Sequence, residues 1–346
     1  MSKQNKPDPK LKRDLRLLSG IMFGKGIECI VQVTNRCNMH CGFCEFWSNP
    51  AHPLDELTLE DFERLSNSLA QESSFIISIE GGEPLIRKDI VEIVEIFAKK
   101  HHPILFTNGW YVTDELAKKL FDAGLQQAAV SIDFPNERHS EVRGVKDAFE
   151  RALNAAQLLK KHAPAKGKQV NLISVIMKEN LELLEELLCL SKSLGIGHML
   201  TLLSQKGFRR GKYFLNPEES QIPSAPLSKK LLSLKQKYPH LQTFKGYLGG
   251  IDDFINQSPN LPRCLAGKRS FNIDHVGNVS VCIEKIDESI GNVRTERWSS
   301  IRNKLSGHEI GEKYKNCQDC WTLCRGLSQT LGGSTWSTLP ELIQLR

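Results

Sequence analysis

The sequence lacks long apolar segments and blocks of like charge. No run of roughly 18 or more apolar residues occurs, so a membrane span is not predicted. Residues 1–16 are polar and lysine-rich, without the apolar stretch of a secretory signal peptide. The net charge of +6 is spread along the chain, and no long basic block is interleaved with aromatic residues, so nucleic acid is not an expected partner. These absences predict a cytoplasmic protein.

Cysteine, in contrast, is plentiful, with ten residues in a chain of 346. In a reducing compartment, cysteines serve metal or redox chemistry more often than disulfides. Cys29 and Cys189 stand among apolar neighbours and are expected to lie in the core. The other eight fall into two groups, and the length permits about two domains.

The first group follows the apolar segment 27–33 with the spacing C-x3-C-x2-C, and consists of Cys37, Cys41 and Cys44. Zinc and iron-sulfur sites normally use four protein ligands. Either a distant ligand completes this site, or one metal keeps an open position for a small chelator. A zinc knuckle with His40 as the fourth ligand is the alternative interpretation.

A second motif, Glu80-Gly81-Gly82-Glu83-Pro84, ends the predicted strand 75–79. Adjacent glycines after a buried strand allow positive φ angles and close approach of the backbone to a ligand. By itself, this pattern is more often an ordinary turn than a binding site.

The cysteine triplet with Phe43 between its last two members, followed in order by Gly81-Gly82-Glu83-Pro84, resembles the radical S-adenosylmethionine (radical SAM) superfamily. The resemblance implies a 4Fe-4S cluster on the three cysteines, with S-adenosylmethionine bound at its fourth iron. Reductive cleavage of that cofactor yields a hydrogen-abstracting 5'-deoxyadenosyl radical. Phe43 is then expected near the adenine, and Gly81, Gly82, Glu83 and Pro84 near the methionine moiety.

Strands and helices alternate along the chain, with six strands predicted at 27–33, 75–79, 104–106, 127–132, 169–176 and 198–203. This pattern predicts an α/β fold with a parallel sheet, whose ligands bind at the carboxyl ends of the strands. The resemblance implies a partial (β/α)6, TIM-like barrel. It also suggests that Ser131 and Asp133 contact the ribose of the cofactor and that Asn108 lies at the site. The alternatives are a loop-capping Asp133 and a left-handed turn at Asn108.

The second group comprises Cys264, Cys282, Cys317, Cys320 and Cys324, placed around a predicted hairpin of strands 270–273 and 279–283. Five cysteines in so short a segment predict a second metal centre, with structural zinc as the alternative. The pattern Cys264-x12-Gly277-x4-Cys282 resembles the SPASM or twitch extension of radical SAM enzymes. The resemblance implies an auxiliary 4Fe-4S cluster on Cys264, Cys282, Cys317 and Cys320, with Cys324 competing for the last place. A full SPASM domain uses about seven cysteines, so five suit the shorter form better.

The predicted organisation is a tail and short helix (1–22), a radical SAM core (23–238), an auxiliary iron-sulfur domain (239–330) and a C-terminal tail (331–346). The predicted function is an oxidoreductase-type radical SAM enzyme, served by a reducing partner such as flavodoxin or ferredoxin. About 27 residues precede the first strand, too few for a peptide-recognition domain, which favours a small or non-peptide substrate. The alternatives are a peptide maturase and a non-catalytic metal scaffold. No general base is predicted, although Asp133, Asp274, His275 and Arg209 lie in segments that could face the barrel mouth.

Overall fold

The computed structural model describes residues 7–164, 169–204 and 221–326. The strands are β1 (Glu28–Thr34), β2 (Ile76–Gly81), β3 (His102–Thr107), β4 (Gln127–Ser131), β5 (Gln169–Ile176), β6 (Gly197–Leu202), β7 (Ser270–Ile273), β8 (Asn278–Ser280) and β9 (Gly291–Asn292). They form one nine-stranded sheet in the order β6-β5-β4-β3-β2-β1-β7-β8-β9.

The helices with both ends in the described residues are α1 (Lys10–Met22), α2 (Leu59–Glu72), α3 (Ile90–Ala98), α4 (Asp114–Asp122), α5 (Arg138–Arg143), α6 (Ala148–His162), α7 (Leu184–Leu194), α8 (Ser228–Lys237), α9 (Lys245–Gly249), α10 (Ile251–Ile255), α11 (Trp298–Ser306) and α12 (His308–Lys313). Each helix in the described part of the chain is too short or too polar to cross a bilayer. α2 begins with a capping box, since Asp61 N donates to Thr58 Oγ1 (3.2 Å) and Thr58 N donates to Asp61 Oδ2 (3.0 Å).

The first six strands pair in parallel, each with its neighbour in the chain. The predicted parallel α/β sheet is therefore confirmed. Alternate side chains of β1 face different environments. Cys29, Val31 and Val33 are fully buried in the main apolar core, whereas Glu28 lines an interior cavity. This alternation follows from the two-residue repeat of a strand.

The C-terminal region extends the same sheet. β7 pairs in parallel with β1, and β8 and β9 follow in antiparallel order. The predicted hairpin is confirmed in its first strand, but its return strand ends at Ser280 rather than Ile283. The turn is held by Asp274, whose Oδ1 accepts hydrogen bonds from Val276 N (3.0 Å) and Asn278 N (2.8 Å). The regions on either side of the predicted boundary at 238/239 thus share one sheet.

α1 ends at Met22, the last residue of the predicted tail and short helix. The Arg269 guanidinium binds its carboxyl end by donating hydrogen bonds to Gly20 O (3.2 Å), Ile21 O (2.8 Å) and Lys25 O (2.8 Å). A cation at that end also interacts favourably with the helix dipole. This contact spans most of the chain length, so local sequence could not reveal it.

The expectation that Cys189 lies in the core is wrong, because its side chain is exposed. α7 buries Leu184, Leu187 and Leu188, and Cys189 lies to the other side of the helix, with its Sγ 3.3 Å from Tyr238 Oη. Cys29 is fully buried, as expected. Arg209 and the predicted tail 331–346 lie outside the described residues.

Candidate active site

A cavity of about 590 Å³ is lined by residues of all six parallel strands and of the loops that follow them. The lining residues alternate along the strands, as Ser78 and Glu80 do in β2 and Ile104 and Phe106 do in β3. Side chains at such positions project from the same face of a sheet. The sheet therefore encloses an open interior. In a small closed barrel, by contrast, side chains would fill this space.

Cys37, Cys41 and Cys44 all line this cavity, just beyond the carboxyl end of β1. Their loop is closed by a hydrogen bond from Cys44 N to Cys41 O (3.2 Å), and Trp47 Nε1 donates to the same oxygen (3.2 Å). The structure thus brings together the three cysteines that the spacing singled out.

His40, the fourth ligand in the zinc alternative, does not join them. Its side chain is exposed, and its ring packs against Trp47 with 5.1 Å between the ring centroids. It is also not among the residues that line the cavity. This geometry does not support a zinc site completed by His40.

Gly81 and Gly82 bring the next loop against the cysteine loop. Gly82 N donates a hydrogen bond to Thr34 O (2.8 Å), and Glu83 N donates to Arg36 O (2.9 Å). Gly81 has a φ of +131°, and a Cβ on it would overlap the carbonyl oxygen of Thr34 at the end of β1, whereas a Cβ on Gly82 would overlap that of Arg36 in the cysteine loop. Only glycine permits this approach, and both glycines also line the cavity.

Glu83 and Pro84 do not line the cavity. The Glu83 carboxylate accepts hydrogen bonds from Asn108 N (2.7 Å), Thr107 Oγ1 (2.8 Å) and Leu85 N (3.0 Å). Burial raises the pKa of Glu83 to about 7, against the effect of these donors. The carboxylate therefore ties the loop after β2 to the end of β3.

Phe43, Asn108 and Ser131 line the cavity together with the cysteines. Asn108 Nδ2 donates to Asn38 Oδ1 (2.9 Å), and Asn108 Oδ1 accepts from Trp110 N (3.0 Å). Asn108 thus fixes the turn after β3 to the cysteine loop. The left-handed residue of this turn is Gly109, with a φ of +83°, and not Asn108.

Asp133 is fully buried and is not a cavity-lining residue. Its Oδ2 accepts hydrogen bonds from Arg143 Nε (3.0 Å) and Nη2 (2.6 Å), and its Oδ1 accepts from Val175 N (2.9 Å). Both oxygens already have partners, so this geometry does not support the expected ribose contact. The alternative role of Asp133, a cap of the loop before Pro135, agrees better with these contacts, although the main partner of its carboxylate is Arg143.

Arg143 is the site residue that sequence reasoning missed. It lines the cavity, with Nη1 3.8 Å from Cys41 Sγ and its guanidinium carbon 5.3 Å from the Phe43 ring centroid. Burial raises the pKa of Cys41, and the charge of Arg143 opposes that rise. The pair Arg143-Gly144 was an available signal, because a glycine commonly follows the last residue of a helix, and α5 ends there.

Asp274 and His275 lie outside the cavity lining. Asp274 holds the hairpin turn described above, and His275 O accepts a hydrogen bond from Leu57 N (2.8 Å). Neither position supports the idea that these residues face the barrel mouth.

The second cysteine group gathers beside the hairpin of β7 and β8. Burial raises the pKa of Cys282, and the charges of Cys320, Cys264 and Cys324 add to that rise. Burial likewise raises the pKa of Cys317, and Cys264 contributes there as well. The five thiols are therefore electrostatic neighbours.

Cys324 differs from the other four because it lines the main cavity, next to Thr322 and Leu323. Thr322 Oγ1 lies 3.0 Å from its Sγ. The remaining four, Cys264, Cys282, Cys317 and Cys320, are not among the cavity-lining residues.

The chemistry of both thiol sets suits iron-sulfur clusters. Burial raises the pKa of Cys37 to about 12, and Cys41 and Cys44 add to the effect. Buried thiols that disfavour each other's ionisation become thiolates together only when a cation joins them. Among the described residues, no three His, Cys, Asp or Glu side chains lie close enough together to hold one metal ion. A cubane cluster is wider than a single ion, and thiolates ligate its separate corners.

Family models agree with this geometry. The model of the radical SAM superfamily matches residues 31–189, and that of SPASM, an iron-sulfur cluster-binding domain, matches residues 264–321. The chain therefore carries a radical SAM domain and a SPASM iron-sulfur domain. Members of this class are enzymes, and their cofactors are S-adenosylmethionine and 4Fe-4S clusters.

The chain is similar to two heme synthases that depend on S-adenosylmethionine. The one from Methanosarcina barkeri is 35% identical over 47% of this chain, but the match spans only 46% of that relative. The one from Oleidesulfovibrio alaskensis is 25% identical over 89% of this chain and 85% of its own length. Among solved structures, Streptococcus suis SuiB bound to its precursor peptide SuiA shares the fold, with a TM-score of 0.64 over 94% of this chain and 78% of SuiB at 16% identity.

Proposed function

We propose that this protein abstracts a hydrogen atom from a small, non-peptide substrate held in the interior cavity. The observation that carries the proposal is that the three clustered thiols and the paired glycines line the same cavity as all six parallel strands. S-adenosylmethionine, when bound at the reduced cluster, supplies a 5'-deoxyadenosyl radical for that step.

In this proposal, Cys37, Cys41 and Cys44 ligate the cluster. Gly81 and Gly82 offer backbone groups to the methionine moiety, because no side chain stands between their backbone and the cavity. Phe43, Asn108 and Ser131 line the remaining wall, where the adenine and ribose would lie. Glu83 and Asp133 act indirectly, since Glu83 positions the turn at Asn108 and Asp133 positions Arg143.

For the auxiliary cluster, we infer four ligands, Cys264, Cys282, Cys317 and Cys320, which are electrostatic neighbours and are not among the residues that line the main cavity. Cys324 instead lines that cavity. The auxiliary cluster would then transfer electrons or bind substrate from the side of the SPASM domain. A small electron-transfer protein such as flavodoxin or ferredoxin would supply the reducing electron.

The size of the substrate is inferred from the cavity. At about 590 Å³, it lies within the range usual for small-molecule sites, and it must also accommodate the cofactor. The similarity over most of the length of a heme synthase supports a non-peptide substrate. Peptide maturation is the alternative, and the likeness to SuiB bears on the fold alone. The division into a core at 23–238 and an auxiliary domain at 239–330 also remains a proposal.

The test is anaerobic reconstitution, followed by iron and sulfide analysis and incubation with S-adenosylmethionine and dithionite. The expected result is about eight irons per chain, as two 4Fe-4S clusters require, with release of 5'-deoxyadenosine. Cys37→Ala should abolish release of the nucleoside, whereas Cys189→Ala, an exposed cysteine outside both groups, should leave it unchanged. Equal nucleoside release from the wild type and Cys37→Ala would refute the proposal. Deuterated small molecules and peptides, with the label followed into the nucleoside, then distinguish the two substrate classes.

A further inference from the structure

The end of the cavity away from the cysteines is polar. Glu28, the first residue of β1, lines the cavity at that end. Thr34 ends the strand six residues later, which corresponds to roughly 20 Å along a β-strand, and the cysteine loop begins beyond it. The cavity therefore extends from the cysteine loop to the amino ends of the strands, which we call its floor.

Glu28 is only 6% exposed. Its Oε1 accepts a hydrogen bond from Ser78 Oγ (2.7 Å), but its Oε2 has no hydrogen-bond partner among the residues that the structure describes. Burial raises the pKa of Glu28 to about 7, and the charge of Glu80 adds to the rise. A buried acceptor without a partner is unfavourable, so this position would gain from a donor brought by a ligand.

Among the described residues, two carboxylates and one ammonium group line the floor: Asp14, Glu28 and Lys10. Asp14 is placed there by His102, the first residue of β3, whose Nε2 lies 3.8 Å from Asp14 Oδ1. Glu80 and Arg143 also line the cavity, but Glu80 is next to last in β2 and Arg143 contacts Cys41, so both lie at the cysteine end. His102 adds no positive charge at neutral pH, because burial lowers its pKa. The floor thus favours a cation.

The wall between the floor and the cysteine loop has a different character. Ile104, Ile173 and Met199, from three different strands, line it. An apolar wall that leads to a carboxylate is complementary to a chain of methylene groups with a cationic end, because the methylenes gain by leaving water and the charge gains a partner.

We propose that Glu28 binds the ammonium or guanidinium end of an elongated substrate, whose aminoalkyl or guanidinoalkyl chain runs along the apolar wall towards the cysteine loop. The direction of the chain rests on the function proposed above, since the reacting carbon must lie near the radical. The binding of a cation at Glu28 does not depend on it. Glu28 is thus a residue that determines substrate specificity.

The test uses the reconstituted holoenzyme and needs no turnover. Cadaverine, a five-carbon diamine, is compared with pentane-1,5-diol, which has the same chain without charge, by isothermal titration calorimetry at low and moderate ionic strength. A second arm compares N-acetyl-lysine methylamide with its norleucine analogue. The first arm represents a free small molecule, and the second represents a lysine side chain of a peptide.

We expect at least one ammonium probe to bind at least tenfold more tightly than its uncharged match. Glu28→Gln, which preserves the shape of the side chain, should remove this preference. The matched control is Glu92→Gln, an exposed glutamate on α3 that should bind like the wild type. Iron content and thermal midpoint verify that each variant is folded.

If neither arm shows a preference for the charged probe, or if Glu28→Gln binds it as the wild type does, the proposal is wrong. Release of 5'-deoxyadenosine without substrate is measured in parallel. Failure of cofactor cleavage in the wild type would overturn the proposed function but not the cation site, and the binding data alone decide the latter.

Discussion

Replacing Gly82 by alanine tests whether the loop after β2 is rigidly packed against the cysteine loop. A Cβ at Gly82 would lie 2.6 Å from the carbonyl carbon of Arg36 and 2.9 Å from that of Asn35. Carbon atoms normally approach to about 3.5–4.0 Å, so one loop must move by roughly 1 Å. Overpacking of this kind costs about 1–3 kcal/mol, and we expect the upper end of the range because both neighbours are backbone atoms.

The displaced segment leads directly into Cys37, so the change should also affect activity. A shift of about 1 Å near reacting groups can reduce a rate about 100-fold. Reductive cleavage of S-adenosylmethionine by Gly82→Ala should therefore fall by about that factor. Urea unfolding measures the stability term, and the release of 5'-deoxyadenosine measures the rate.

Gly249→Ala is the matched control for this experiment. A Cβ at Gly249, the last residue of α9, would meet no atom nearer than Leu232 Cδ1 at 4.0 Å, so stability should change by less than about 1 kcal/mol. If Gly82→Ala is as stable and as active as the control, the loops are not tightly packed, and the steric explanation for the paired glycines fails.

Three further predictions concern other parts of the molecule. Asp133→Asn leaves the buried guanidinium that it binds without a counter-charge, so urea unfolding should show a loss of about 3–5 kcal/mol; a loss below about 1 kcal/mol would contradict a structural ion pair. Cys320→Ser should lower the iron content by about four per chain, whereas Cys324→Ser should not, and the opposite pattern would exchange their roles. Burial lowers the pKa of His101 from its ordinary 6.5 to about 3, so below pH 6.5 the unfolded chain binds a proton that the folded protein does not. The contribution of His101 to the free energy of unfolding should then fall by about 1.4 kcal/mol for each unit by which the pH decreases. His101→Gln should reduce the slope of stability against pH by about that amount in urea titrations between about pH 6 and pH 5.

Local sequence patterns were sufficient for the parallel sheet. Buried strands and capped helices leave signals within a few residues, and the expected strands lie close to the observed ones. The short helices α5, α9 and α10 were not predicted, because segments of five or six residues carry too little periodicity. β9 has only two residues and gives no pattern at all.

The candidate site was only partly predictable. The cysteines and the paired glycines could be predicted because their spacing is local. The glycines are required by close backbone contacts. The surroundings of Glu83, Asp133 and Arg143 could not be predicted, since nothing local reveals whether a carboxylate faces a cavity or a buried partner. Asp133 and Arg143 are ten residues apart, but the environment that makes them a buried pair also includes β5 through Val175.

By itself, the sequence determined the class of chemistry, because a cysteine triplet and a glycine pair in the right order restrict the backbone and the metal. Only the tertiary structure decided which side chains face the interior. Glu28 is one acidic residue among forty in the chain, and its strand position alone gives no reason to select it. It becomes a candidate ligand site only when six strands enclose a cavity around it and remove its carboxylate from water, since desolvation depends on neighbours that are distant in the chain.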